Sequence, residues 1–182
     1  MKKEVFISVD IEADGPIPGD YSMSSLGACV VDRPDLSFYV EFRPISEKFI
    51  LEVMIVSGLD RDRLVSDGED PDSAMRRFAN WIQGVCGTWG RPVFVAFNAT
   101  YDWMFVHWYF EHFLGHDPFG ISGWDIKAYY AGVAKKKWWS ETSMRKIEEE
   151  FKSFKSLTHN ALDDARCQAE IFRRLRQKVI AG

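Results

Sequence analysis

Cysteine is scarce and poorly spaced for structural chemistry: Cys29, Cys86 and Cys167 stand alone in 182 residues, with no C-x-x-C pair. That spacing excludes a disulfide framework and a zinc finger, and it suits a reducing compartment. Long apolar runs are missing as well. Lys2-Lys3 precede an apolar stretch, but Glu4 and Asp10 interrupt it too early for a signal peptide. Nothing approaches the roughly 20 apolar residues of a membrane span. The expectation is a cytoplasmic protein with no membrane partner. Nor is there an excess of positive charge: the net charge is −4. A protein that coats polyanions through its overall field is thereby excluded, and any grip on nucleic acid must come from a local basic surface or from metal ions. Internal repeats and low-complexity linkers are absent, so residues 1–182 are expected to form a single domain, long enough for a real core. What is plentiful is aromatic side chains, at 15%, and so high a share asks for a use.

Strand patterns come first along the chain. Glu4 to Glu12 is rich in β-branched residues and apolar on both faces through its middle. A loop follows at Asp14-Gly15-Pro16-Ile17-Pro18-Gly19-Asp20. Leu26 to Val31 predicts a second strand, Arg33-Pro34-Asp35 a turn, and Leu36 to Phe42 a third strand. Short links between the three imply an antiparallel meander. Ile45 to Gly58 reads as helical with Gly58 as its stop. Pro71 or Asp72 opens a helix to about Ile82, with Ala74, Phe78, Trp81 and Ile82 as its apolar stripe. Pro92 to Phe97 is a short apolar run and so a buried strand, followed by a helix to about Leu114. Asp125 caps a helix through Tyr130, and Ser140 to Ser143 offers another helix start. Lys155 to Thr158 closes that section, and the last helix runs from Asn160 to Val179. Strands first, then helices alternating with a buried strand, describe an α/β sheet of mixed direction flanked by helices.

Several acids sit where they should face inward. Asp10 and Glu12 are two apart at the end of the first strand, so both project from one face. Two close carboxylates in a partly dry site are unfavourable unless something cationic joins them, and a divalent metal is the usual answer; a strand running out into solvent is the plainer alternative. Asp102 lies one turn into a helix and shares its face with Phe105, Val106, Tyr109 and Phe113. It can equally be a helix N-terminal carboxylate welcomed by the dipole. Asn160 is a good N-cap, with Asp163 three residues on able to return the bond. Helical phase puts Asp163 with Arg166, Glu170, Arg173 and Arg174 on a solvated face. It puts Asp164 with Ala161, Gln168, Ile171 and Leu175 on a buried one. His159 stands just outside the cap. Four such carboxylates and one histidine fit a site for two Mg²⁺ or Mn²⁺ ions that performs in-line phosphoryl transfer. The histidine would take the proton of the attacking water. Hard oxygen ligands suit those ions, and the lack of a cysteine–histidine set disfavours zinc.

Asp10-Ile11-Glu12, Asn98-Ala99-Thr100-Tyr101-Asp102 and His159-Asn160-Ala161-Leu162-Asp163-Asp164-Ala165 resemble the three exonuclease motifs of the DEDD superfamily, in their order and spacing. The H-x-x-x-x-D form of the third is that of the histidine-bearing (DEDDh) branch, with ribonuclease T, oligoribonuclease and the proofreading subunit of bacterial DNA polymerase III. The resemblance implies a ribonuclease H-like fold and a 3′→5′ exonuclease that releases nucleoside 5′-monophosphates from single-stranded or frayed RNA or DNA 3′ ends. It implies that Asp10, Glu12, Asp102 and Asp164 hold two Mg²⁺ ions, for which Mn²⁺ would substitute, and that His159 is the general base. Asn98 would support the second motif and approach the terminal nucleotide. Asp14 and Gly15 stand where the terminal sugar docks in that family. There the family favours small hydroxylated residues, so an acid bears on sugar discrimination. Phe97 replaces a frequent histidine, a difference expected to matter only to packing. Some relatives pair, which leaves room for a homodimer.

Other features compete for a role. The rings of Trp103, Phe105, Trp108, Tyr109, Phe110 and Phe113 have helical spacing, which reads as core packing, with base stacking reserved for those beside Asp102. Lys135-Lys136-Lys137-Trp138-Trp139 is either a surface for single-stranded backbone and bases or a solvated basic run with tryptophans tucked beneath. His112 and His116 are four apart, but Gly115 and Asp117-Pro118 break the helix, against a zinc site. Arg173, Arg174, Arg176 and Lys178 read as a solvated face within reach of phosphates. Two rival functions follow: a binding module that kept the fold without turnover, and an endonuclease of the same broad fold. The inward acids speak against the first, and cleavage of a circular strand would reveal the second.

Overall fold

The computed structural model describes residues 3–151 and 158–181. Five strands form one mixed sheet: β1 (Lys3–Ala13), β2 (Met23–Val30), β3 (Arg33–Glu41), β4 (Gly90–Ala96) and β5 (Gly123–Asp125), in the order β3-β2-β1-β4-β5. β1, β2 and β3 are the antiparallel meander, while β4 and β5 run parallel to β1. The helices are α1 (Leu51–Ser57), α2 (Arg61–Asp67), α3 (Pro71–Cys86), α4 (Ala99–Leu114), α5 (Ile126–Val133), α6 (Met144–Phe151) and α7 (Ala161–Ala181), with a 3₁₀ turn at Trp139–Thr142. Among the described residues, no helix is long and apolar enough to cross a membrane.

Alternation along β1 divides the interior in two. Ile7, Val9, Ile11 and Ala13 join Phe78, Phe105 and Tyr109 of α3 and α4. Phe6 joins Tyr130, Ile171, Phe172 and Leu175 of α5 and α7 on the other face. Asp10 and Glu12 have the parity of Phe6 and therefore look toward α7. Phe105, Tyr109 and Phe110 are fully buried, so most of the α4 rings serve the core. Trp103, beside Asp102, packs edge-on against Phe94 at 5.0 Å.

Several boundaries differ from the sequence pattern. The hairpin turn lies at residues 31–32, and β3 already starts at Arg33. Pro34 is tolerated there because β3 is an edge strand, where a missing N–H leaves no ladder bond unmade. The helix expected over 45–58 is only the seven residues of α1, stopped by Gly58 in the left-handed region (φ 67°). α2 was not foreseen; Leu64 is its one buried residue, so it carries no apolar stripe to detect. β5 escaped because three residues are too few for a period. α3 runs about one turn beyond its expected end, to Cys86, and α7 reaches Ala181. Residues 155–157, expected to close the section that begins at Ser140, lie outside the described residues.

Candidate active site

The site forms where β1 outruns its neighbour. β4 pairs with β1 only as far as Ser8↔Val95. Beyond that point the Ile11 N–H has no strand partner, and the Asp102 carboxylate accepts it at 3.1 Å. Asp102 is 5% exposed, so one turn of α4 is drawn against the end of β1 by a buried acid. Asp125 holds that end of the sheet in place: one oxygen accepts from Ala99 N of α4 and the other from Ala128 N of α5, both at 2.6 Å. Asn98 stands at the N-cap of α4 in the left-handed region (φ 61°) and makes no side-chain capping bond; Asp125 takes over that task.

From the other face, α7 comes down on Gly27, the β2 partner of Asp10. A Cβ at Gly27 would lie within 3.0 Å of Ala161 and Leu162 backbone atoms, so only glycine lets the helix start this close to the sheet. Asn160 caps α7, its oxygen accepting from Leu162 N at 3.1 Å and Asp163 N at 3.2 Å. The returning bonds come from Asp164, not from Asp163 as the spacing suggested. Asp164 accepts from Thr158 N at 2.7 Å and His159 N at 2.9 Å. Asp164 is buried, and the Asp163 side chain is solvent-exposed, as helical phase predicts. His159 has φ 58°, and its Nδ1 lies 3.9 Å from Glu12 Oε1. Ligand atoms of Glu12, His159 and Asp164 all lie within 4.8 Å of one another, close enough to share an ion.

Negative charge is crowded here. Burial, then the charges of Asp102, Glu12 and Asp164, hold Asp10 well above the usual carboxylate range. Burial, with Asp164 adding to it, pushes Glu12 up to about 7. Burial pushes Asp102 up to about 8, against the opposing bond from Ile11 N–H. One neutral group relieves the crowd: Gln168 Nε2 donates to Asp10 Oδ1 at 2.5 Å, while its Oε1 accepts from Phe97 N at 2.8 Å. Gln168 is 1% exposed. Sequence reasoning placed it on the inward face without assigning it a role. The available signal was a polar residue one turn past Asp164 on a stripe otherwise made of Ala161, Ile171 and Leu175.

Two other expectations need correction. Asp14 does not face the cleft: it is fully buried, accepts from Ser22 N at 2.6 Å and forms an ion pair with Arg61. Its role is to pin the loop after β1, because an unpaired buried carboxylate would be prohibitive. Gly15 packs against the Tyr21 ring, and its carbonyl accepts from Tyr101 Oη at 3.0 Å. The basic face of α7 is largely engaged already. Arg173 and Arg174 pair with Glu170, Lys178 pairs with Glu150 at 3.0 Å, and Arg176 lies 4.1 Å over the Phe6 ring. His112 stacks on Trp108 at 4.4 Å.

No family model matches the chain. A relative from Escherichia coli, "3′-5′ DNA exonuclease Cap18", is 47% identical over 171 residues, covering 94% of this chain and 91% of the relative. Among solved structures, that of "3′-end specific recognition of histone mRNA stem-loop by 3′-exonuclease" superposes with a TM-score of 0.77 at 15% identity, over 97% of this chain and 83% of that one. The nuclease domain of "3′hExo, a DEDDh family member, bound to rAMP" gives a TM-score of 0.71 at 18% identity, over 94% and 91%. At such identities the structural likeness speaks to the fold, which is ribonuclease H-like.

Proposed function

We propose that this chain, which belongs to the 3′→5′ exonuclease family of its Escherichia coli relative, is of the histidine-bearing DEDD branch and trims single-stranded or frayed DNA 3′ ends, with Asp10, Glu12, Asp102 and Asp164 holding two Mg²⁺ ions and His159 acting as general base. The DNA preference rests on the Escherichia coli relative. The observation that carries the site is the convergence of ligand atoms from Glu12, His159 and Asp164 within 4.8 Å of one another, where burial and mutual charge hold Asp10, Glu12 and Asp102 above the ordinary carboxylate range. Such a cluster is poorly matched to its own charge and well matched to cations with hard oxygen preference.

When bound, the ions neutralise the acids and polarise the scissile phosphate. Everything else falls to the chain. The Ile11 N–H holds Asp102, and the Thr158 and His159 N–H groups hold Asp164, so both carboxylates are oriented before any ligand arrives. Gln168 orients Asp10 from a buried position. His159 is half exposed and stands beside Glu12, where it takes the proton of the water that attacks phosphorus. The 3′ oxygen of the preceding nucleotide leaves, and a nucleoside 5′-monophosphate is released. Asn98, exposed next to the second motif, meets the terminal nucleotide.

Digestion of 5′-labelled DNA and RNA single strands, with Mg²⁺ and with chelator, tests this reading. A ladder shortening from the 3′ side, stronger on DNA and abolished by Asp10→Ala or by chelator, is expected. Activity on a circular strand, or activity untouched by Asp10→Ala, would defeat it.

A further inference from the structure

Beyond the acids, the carboxyl edge of the sheet carries a second set of groups with no part in the chemistry above. Phe97 follows β4, and its N–H donates to the same Gln168 that holds Asp10. Lys127, in the first turn of α5, places its Nζ 6.0 Å from the Phe97 ring centroid and 4.4 Å from that of Trp139. Next along, Lys137 Nζ lies 5.2 Å over the Trp138 ring. Trp138 and Trp139 are 63% and 57% exposed. That excludes the arrangement in which the tryptophans are tucked under a basic run.

This surface is built, not frayed. Glu141 Oε2 accepts from Lys137 N at 3.2 Å and Trp138 N at 2.8 Å, and the buried Thr142 donates to the Trp139 carbonyl at 2.6 Å. Lys136 is engaged by Glu150 at 3.3 Å. Lys127 and Lys137, by contrast, have no carboxylate partner among the described residues. Two ammonium groups without a carboxylate partner, each seated on an indole that stays more than half exposed, suit a flexible polyanion carrying flat rings, and the row starts at Phe97, whose N–H shares Gln168 with Asp10. Indoles give sequence-tolerant stacking, and the lysines meet the backbone.

We propose that Lys127, Lys137, Trp138 and Trp139 form a platform for the single strand upstream of the terminal nucleotide, a proposal that rests on the exonuclease reading. The platform gives the enzyme a preference for strands longer than a dinucleotide. The test compares the full chain with Trp138→Ala/Trp139→Ala on a single-stranded 12-mer and on a dinucleotide, by kcat/KM. Binding of a labelled 12-mer in chelator is followed by anisotropy in parallel. The double variant should lower the preference for the 12-mer by about tenfold, within what base–aromatic stacking supplies. Trp138→Phe/Trp139→Phe should restore most of it. Lys127→Ala and Lys137→Ala should each reduce the salt dependence of binding by about 0.7 in log–log slope. A 12-mer bound but never shortened by the wild type sinks the activity reading alone. Unweakened binding and an unmoved length preference in the double variant sink the platform alone, and give the surface to a protein partner instead.

Discussion

Replacing Gly27 with alanine isolates the packing that brings α7 to the acids. Two effects oppose each other. In a strand interior, alanine is favoured over glycine by roughly 0.5–1 kcal/mol through the lower entropy of its unfolded chain. Against this, the new Cβ falls well under 3.0 Å from Leu162 N and from the carbonyl of Ala161. These are backbone atoms of a helix start, with no flexible tip to swing aside. Overpacking of that kind costs about 1–3 kcal/mol, so the net change should be destabilising. The larger effect is on rate. For ordinary contact the start of α7 must retreat by roughly 1 Å, and misplacement on that scale costs about a hundredfold. The displaced segment carries His159, Asp164 and Gln168 away from Glu12 and Asp10. Exonuclease kcat/KM on a 5′-labelled single strand should therefore fall about a hundredfold while urea unfolding shows a modest loss of stability. Gly84→Ala is the control: it lies within α3 with nothing within 4 Å of the added carbon, and it should stabilise by about 1 kcal/mol with activity intact. Full activity together with raised stability in Gly27→Ala would refute the reasoning, because α7 would then not be seated by that glycine.

Gln168→Leu should strand two buried groups, the Phe97 N–H and an Asp10 oxygen, at about 1–3 kcal/mol each. Since the Gln168 bond lowers the Asp10 pKa, its loss should move the acid limb of the pH–rate profile to higher pH; an unmoved limb would deny Gln168 its orienting role. Arg61→Ala leaves the Asp14 carboxylate buried and uncompensated, which should lower stability by about 3–5 kcal/mol in urea titration. For stability against pH in metal-free protein, the sign follows from the raised carboxylates. Between their unfolded values near 4 and the folded values of about 7 for Glu12 and about 8 for Asp102, the folded state binds more protons than the unfolded one. Stability should therefore fall as pH rises through that window. Mg²⁺ should then raise Tm more at pH 8 than at pH 5, and an equal shift at both would contradict the charge crowding.

Much of this was readable without coordinates because periodicity is local. The alternation of β1 sends Asp10 and Glu12 to one face whatever else the chain does. The 100° step of α7 separates Asp164 from Asp163 in the same way. Caps such as Asp125 and Asn160 also act within a few residues of themselves. What periodicity supplies is a direction, and it does not say what waits there. That Gln168 meets Asp10 across 158 positions and that Arg61 reaches back to bury Asp14 were decided by how distant segments cross. The order of the strands was decided the same way: β5 joins β4 through three residues, too few to carry a pattern, yet Asp125 at its end fixes two helices. Sequence alone therefore determined which side chains turn inward, since that depends on backbone repeat. Only the tertiary structure decided which of them meet, because a buried polar group's partner is set by the packing of whole elements against each other.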